Sequence, residues 1–214
     1  MINLAVFGAG RIGHVHAINA SGLGSVQIKY LVDPIAGEHQ ALLAARLGAE
    51  SVSADTVFSD SSIDGVIIAS STDTHAELLL KAAKSGKAIF CEKPVSLNFA
   101  TVEAVTNAVE VSGVACFLAF QRRYDPDFRF VRDRVVSGDA GTLEHIVMHT
   151  RDPSPPSVAY ISHSGGMFRD QAIHDFDMAR YLLGEEIVTV YAVGNCLIDK
   201  EIGDAGDIDT AMVT

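Results

Sequence analysis

The sequence predicts an α/β protein: an N-terminal doubly wound parallel sheet, then a smaller α+β region with a largely antiparallel, open-faced sheet. Three observations carry this. From the first residues to about residue 120, short apolar runs alternate with helical patterns, as strand–helix–strand crossovers require. Glycines and small polar residues punctuate the ends of those runs, where helices start and stop. Past residue 120 the alternation ceases, and strand-like stretches occur without regular crossover helices, which suits antiparallel pairing. The domains are accordingly drawn as 1–120 and 121–214.

Composition narrows the class. The chain has 214 residues, 48% of them hydrophobic, enough for a sizeable core. A formal charge of −11 with no basic block argues against nucleic acid or an anionic membrane as partner. The longest uncharged apolar run, Val114 to Phe120, is far too short to span a bilayer. The N-terminus enters strand pattern at once, without a signal-peptide layout. Cys91, Cys116 and Cys196 are scattered, odd in number and lack zinc spacing. They lie mostly inside apolar runs and read as reduced core residues, so a cytoplasmic protein is expected.

The first strand is the apolar run Leu4-Ala5-Val6-Phe7. Gly8-Ala9-Gly10-Arg11-Ile12-Gly13 follows, then a helical pattern to Ser21-Gly22, then a second strand-like run, Val26 to Val32, ending on Asp33. The hexapeptide alone fits a glycine-rich turn in any α/β protein. Strand, glycines, helix, strand and acid in this order indicate a dinucleotide site. Gly8 permits the tight turn, Gly10 lets a pyrophosphate approach the backbone, and Gly13 lets helix pack on strand. The helix N-terminus, at Arg11 and Ile12, offers unpaired N–H groups to the phosphates. Asp33, 20 residues past Gly13, can accept hydrogen bonds from ribose hydroxyls. Its charge repels a 2′-phosphate, and Pro34-Ile35-Ala36-Gly37 supplies no cation, so NAD is favoured over NADP.

A helix over Gly37 to Leu47 is stopped by Gly48, and Val57-Phe58 reads as part of a short connector. Gly65 to Ala69 is a buried strand by its β-branched content. It leads into Ser70-Ser71-Thr72-Asp73-Thr74-His75, at the sheet edge where ligands bind in open α/β folds. Ser70, Ser71 and Thr72 are therefore candidate cofactor contacts, while Thr72 or Asp73 can also cap a helix over Thr74 to Ser85. His75 reads equally as an exposed helix residue or a ligand contact. The next strand, Ala88 to Cys91, ends in Glu92-Lys93-Pro94, again at the sheet's carboxyl edge. A Lys-Pro bond can be cis; a solvated Glu-Lys turn is the plainer reading. Asn98 caps a helix to Ser112, and Val114 to Phe120 is a further strand.

In the second region Pro126 to Ser137 reads as a helix closed by Gly138. Thr142 to Thr150, Val188 to Leu197 and Asp209 to Thr214 look like strands, and Arg151 to Pro156 is a proline-rich loop. Gly165 to Gly184 reads as one helix in which Asp170, His174 and Asp177 share a face at i, i+4 and i+7. Ile173, Phe176 and Leu183 form an apolar face. A histidine flanked by carboxylates can be held in one tautomer as a general base. Three readings stay open: a solvated face, an Asp/His metal site without further ligands, and an acid/base pair, which gains from the nucleotide site upstream.

Together these residues resemble the Gfo/Idh/MocA family of nicotinamide-dependent oxidoreductases. GAGRIG, Glu92-Lys93-Pro94 and the Gly-Gly-x3-Asp-x3-His-Asp helix are its signatures, and the likeness runs through the whole chain. FQRRYDP (Phe120 to Pro126), RDPSPPS (Arg151 to Ser157) and GGMFRDQAIHDFDMARYL (Gly165 to Leu182) carry a closer likeness to its inositol dehydrogenase branch. The resemblance implies a Rossmann domain holding NAD and the oxidation of a cyclic polyol such as myo-inositol to a ketone. It implies Lys93, Asp170 and His174 as catalytic residues, with no metal. His174 would take the hydroxyl proton, Lys93 would hydrogen-bond the same oxygen, and Asp170 would bind substrate hydroxyls. Glu92 and Lys93 would border the cofactor, and Arg123 and Asp152 would contact the polyol. A homo-oligomer, tetramer or dimer, is implied too. Family members are considerably longer, so the second domain is expected to be truncated. That keeps two further expectations in view: another sugar or ketone oxidoreductase of the family, and a catalytically silent NAD-binding module.

Overall fold

The computed structural model describes every residue except Ala36. Ala36 lies in the run read for its lack of a cation, so that position falls outside the described residues. The chain divides into two compact units, Met1–Ala119 and Phe120–Thr214. Among the described residues no helix is long and apolar enough to cross a membrane.

The first unit is built on six parallel strands: β1 (Ile2–Phe7), β2 (Val26–Val32), β3 (Glu50–Ser51), β4 (Gly65–Ile68), β5 (Ala88–Cys91) and β6 (Cys116–Leu118), in the order β3-β2-β1-β4-β5-β6. The chain moves outward from β1 in one direction, then returns to β4 and moves in the other. The order therefore reverses between β1 and β4, where doubly wound sheets bind ligands. Helices α1 (Arg11–Ser21), α2 (Glu38–Leu47), α3 (Ala54–Ser59), α4 (Thr72–Lys84) and α5 (Phe99–Ser112) connect the strands. Both faces are covered, which explains why the strands read as unbroken apolar runs. Along β1, Ala5 and Phe7 enter the core that contains Leu79 and Val105, whereas Val6 enters the opposite one with Ala17 and Leu43. That alternation is the strand's two-residue period. Asn98 caps α5 by accepting from the Thr101 amide at 3.1 Å, and Gly48 ends α2 in the left-handed conformation at φ 64°.

The second unit opens with a 3₁₀ turn at Gln121–Tyr124 and α6 (Pro126–Val136), followed by α7 (Val158–Ser164), α8 (Gly166–Asp170) and α9 (Ile173–Leu183). Its sheet is a two-stranded antiparallel ribbon, β7 (Ala192–Asn195) with β8 (Thr210–Val213), and α10 (Lys200–Asp204) lies between these strands in sequence. Asp125 caps α6 through the Asp127 amide at 2.9 Å, with Pro126 in the first turn, where its missing N–H costs nothing.

Four expectations are corrected. Val57-Phe58 is no connector but part of α3, which Ser53 caps; Val57 is fully buried and Phe58 stacks on Phe7 at 5.3 Å. Thr142 to Thr150 forms no strand, since a strand needs a neighbour to take its backbone hydrogen bonds and none pairs with it among the described residues. Thr72 and Asp73 do not cap α4: Thr72 is its first residue and Ser71 holds the cap position. Finally, Gly165 to Gly184 is two helices. The amides of both Gln171 and Ala172 bond to the Met167 carbonyl, at 3.1 and 2.9 Å, and this wide turn breaks the helical register between Asp170 and His174.

Candidate active site

In the first unit a pocket of about 240 Å³ opens at the carboxyl ends of β1, β4 and β5. It is lined by Gly10, Arg11, Ile12, Ala69, Ser70, Thr72, His75, Glu92 and Lys93. The glycines divide the work of shaping it. Gly8 takes φ +97°, and a Cβ there would strike the Ala69 carbonyl. A Cβ on Gly13 would be driven into the Gly8 carbonyl oxygen, so this glycine sets how closely α1 approaches the strand. Gly10 differs: a Cβ there would meet no protein atom within 4 Å. Its bareness serves the pocket rather than the packing, and the N-terminus of α1 borders the same space. This suits a pyrophosphate group.

Asp33 lies at the end of β2, where it braces the loop it was expected to serve. One carboxylate oxygen accepts the Ala9 amide at 2.6 Å and the other the Ile35 amide at 2.9 Å. Each oxygen keeps a further lone pair for a ribose hydroxyl. Ser70 and Thr74 join hydroxyls at 2.6 Å, which ties the loop after β4 to the first turn of α4. Ser71 is exposed and does not line the pocket.

The Glu92-Lys93-Pro94 turn is not a solvated pair. The Lys93–Pro94 bond is cis. Glu92 and Lys93 are half-buried, and the Glu92 carboxylate pairs with His16 Nε2 of α1 at 2.7 Å. Burial works against ionisation of Glu92. The hydrogen bond and charge of His16, the Lys93 amide and the Lys93 ammonium outweigh it and hold the carboxyl below its ordinary range. His75, open between two readings in the sequence, is buried at 1% exposure, and both ring nitrogens face backbone carbonyls. Sequence reasoning passed over His16 and Ala69. Only the position of Ala69 at the end of a strand run offered a signal; His16 lies 76 residues from its partner.

In the second unit Asp170 ends α8 and His174 lies in the first turn of α9, both half-buried. Asp207 anchors the start of α8, with both carboxylate oxygens 3.1 Å from the Met167 amide. The Phe120 ring stands edge-on to the His174 imidazole at 6.4 Å, and Nδ1 of that imidazole is buried. Asp177 does not share a polar face with His174. It is 6% exposed and receives both arms of the Arg123 guanidinium, while Asp175 takes Arg122 at 2.5 Å and the Thr150 hydroxyl at 2.6 Å. Arg123, expected at the polyol, is thus engaged as a brace of α9. Asp152 is exposed in an irregular loop.

Two family models match the chain. Residues 2–120 match an oxidoreductase family with an NAD-binding Rossmann fold, GFO_IDH_MocA, and residues 128–214 match the GFO/IDH/MocA C-terminal domain. The chain belongs to the GFO/IDH/MocA oxidoreductase family. An inositol 2-dehydrogenase of Rhizobium meliloti (strain 1021) is 44% identical over 212 residues, which is 99% of this chain and 64% of that protein. A crystal structure of a myo-inositol dehydrogenase from Corynebacterium glutamicum is 40% identical with a TM-score of 0.93, covering 100% of this chain and 64% of that one. A scyllo-inositol dehydrogenase from Lactobacillus casei, solved with NAD(H) and scyllo-inositol bound, is 25% identical with a TM-score of 0.83, covering 100% and 65%. This GFO/IDH/MocA chain therefore spans just under two thirds of the length of such relatives.

Proposed function

We propose that this chain carries the cofactor-binding and proton-accepting parts of an NAD-dependent dehydrogenase that oxidises a cyclic polyol, of the myo-inositol kind, to a ketone. The observation that supports it most is the pocket that draws Gly10, Arg11 and Ile12 together with Ser70, Thr72, Glu92 and Lys93. When bound, NAD supplies the acceptor for the hydride that leaves the carbinol carbon. Gly10, Arg11 and Ile12 would hold its pyrophosphate, in the turn that Gly8 and Gly13 shape, Asp33 would take its adenosine ribose, and Ser70, Thr72 and Glu92 would border the rest. His174 takes the hydroxyl proton on its imidazole, which turns the C–O bond into a carbonyl as the hydride departs. Lys93 donates a hydrogen bond to the same oxygen and stabilises charge that develops there. Asp170 binds neighbouring hydroxyls, Asp152 is assigned a weaker polyol contact, and Arg123 supports the site by bracing α9 through Asp177. A cytoplasmic, homo-oligomeric enzyme is the setting this reading adopts; Cys91, Cys116 and Cys196 are all free, though Cys91 alone of them is a buried core residue and Cys116 is exposed.

The test is NADH formation with myo-inositol at mildly alkaline pH, by this chain and by a version extended to the length of its relatives. Other inositol isomers and aldoses are run in parallel. The His174→Ala variant is expected to keep NAD affinity and to lose turnover by at least about a hundredfold. Unchanged turnover would overturn the base assignment. NAD binding without polyol oxidation in either version would favour a silent nucleotide-binding module.

A further inference from the structure

The groups that hold the backbone of Lys93 point to a residue that acts without touching substrate. Lys93 follows β5, and a histidine engages the turn on each side of it. On the N-terminal side, Glu92 bonds to His16 at 2.7 Å and returns its other oxygen to the Lys93 amide at 3.2 Å. On the C-terminal side, His75 Nδ1 stands 2.8 Å from the Pro94 carbonyl oxygen. The far nitrogen of the same ring, Nε2, stands 3.1 Å from the Ser70 carbonyl oxygen. Ser70 follows β4 and Pro94 follows β5, and β4 and β5 are paired neighbours in the sheet. One buried ring therefore bridges the ends of two adjacent strands, each of which contributes residues to the nucleotide pocket.

Carbonyl oxygens only accept hydrogen bonds. A neutral imidazole has one N–H and can donate to one of them; an imidazolium donates to both. The shorter contact is the one to Pro94. A histidine with the sole task of filling core would need no carbonyl at either nitrogen, and an apolar ring of its size would serve.

We propose that His75 is a positioning residue for Lys93: a proton on Nδ1, donated to the Pro94 carbonyl, locks the Lys93 turn against the strand end that carries Ser70. This rests on the reading of Lys93 given above. Its consequence is that the ammonium of Lys93 is held in place by α4 as well as by its own strand. Catalytic groups misplaced by small distances lose much of their effect.

Side-chain geometry supplies a test. Asparagine carries its amide nitrogen two bonds from Cβ, as His carries Nδ1; glutamine carries its nitrogen three bonds away, as His carries Nε2. His75→Asn keeps a donor for Pro94 and loses the reach to Ser70, and His75→Gln does the reverse. Four quantities are compared in the 214-residue chain: melting temperature, NAD affinity, kcat against KM for polyol, and the rate at which acetic anhydride labels Lys93, read by mass spectrometry. The Asn variant, which keeps the bond to Pro94, is expected to label Lys93 at the wild-type rate and serves as the reference for the Gln variant. The Gln variant is expected to lose kcat by about tenfold or more, with KM, NAD affinity and melting temperature little changed. Its Lys93 is expected to label several-fold faster. Equal labelling in the two variants, or changes that track lost melting temperature, would overturn the proposal. If no polyol yields NADH with wild type either in this chain or in the extended version, the proposed reaction falls, while the labelling comparison still decides the role of His75. Should neither variant fold, ¹⁵N spectra of histidine-labelled wild type decide it: a proton on Nδ1 supports the lock, and a proton on Nε2 alone refutes it.

Discussion

Arg123 grips Asp177 with two parallel hydrogen bonds, Nε to one carboxylate oxygen at 2.8 Å and Nη2 to the other at 2.6 Å. The same guanidinium lies 5.2 Å from the centre of the Tyr181 ring. Asp177 is buried while the Arg123 side chain is 37% exposed, so the pair is half in water. Removing one partner of a fully buried pair costs about 3–5 kcal/mol, and the solvated arginine brings that down to about 2 kcal/mol here. Asp177→Ala is expected to lower the unfolding free energy from urea titrations by that amount, seen as an earlier midpoint with unchanged slope. Arg123→Lys should recover little, because an ammonium has no planar fork. A variant as stable as wild type would show that α9 is held by other contacts.

The fingerprint glycines separate stability from binding. Gly13→Ala places a methyl group against the Gly8 carbonyl, which can move only with the strand-to-helix turn. A loss of about 3 kcal/mol is expected, at the upper end for overpacking. Gly10→Ala meets no protein atom within 4 Å, and its backbone, at φ −66°, suits any residue. Its melting temperature should match wild type while NAD affinity falls by about tenfold or more. Thermal melts and a fluorescence titration with NAD separate the two cases. If both variants change in the same property, the division of roles is wrong.

Glu92 ionises more readily in the folded chain than in the unfolded one. The stability it contributes is therefore complete above the unfolded carboxyl value, about 4.3, and disappears as pH falls through the lower folded value. His16→Phe removes the partner that does most to keep Glu92 ionised. The variant should be less stable at neutral pH by about 1 kcal/mol, and the gap should close in acid as Glu92 takes up a proton in both proteins. Melts taken from pH 7 down to pH 3 provide the check. A gap that is the same at every pH would assign the loss to packing on Phe90, whose ring centre lies 4.8 Å from that of His16.

Asp33 offers a test of cofactor choice. Its carboxylate accepts the Ala9 amide, a bond that asparagine can keep through its carbonyl oxygen. Asp33→Asn thus keeps the bond to Ala9, gives up the one to Ile35 and removes the charge that repels a 2′-phosphate. The ratio of NAD to NADP affinity is expected to fall by about tenfold, mostly through better NADP binding. An unchanged ratio, from paired titrations, would remove Asp33 from the choice.

The residues by themselves determined the strand runs of the first unit, the glycine fingerprint, the Asn98 cap, the Lys93 turn and the Asp170–His174 segment. These are local signals: a two- or 3.6-residue period, a turn that tolerates only glycine, a short motif. The tertiary structure decided what those residues face. Asp177 looked like a partner for His174 because both fell on one helical face, yet a cation 54 residues away in sequence took it, and the turn at Gln171–Ala172 broke the register. His75 read equally as an exposed helix residue or a ligand contact, yet the fold buried it against the Pro94 carbonyl, 19 residues on. Thr142 to Thr150 alternated as a strand should, but pairing needs a second strand at hydrogen-bonding distance, and periodicity carries no information about that neighbour. Local chemistry is written in the order of residues; the choice of partner depends on distances through space that only the folded chain sets.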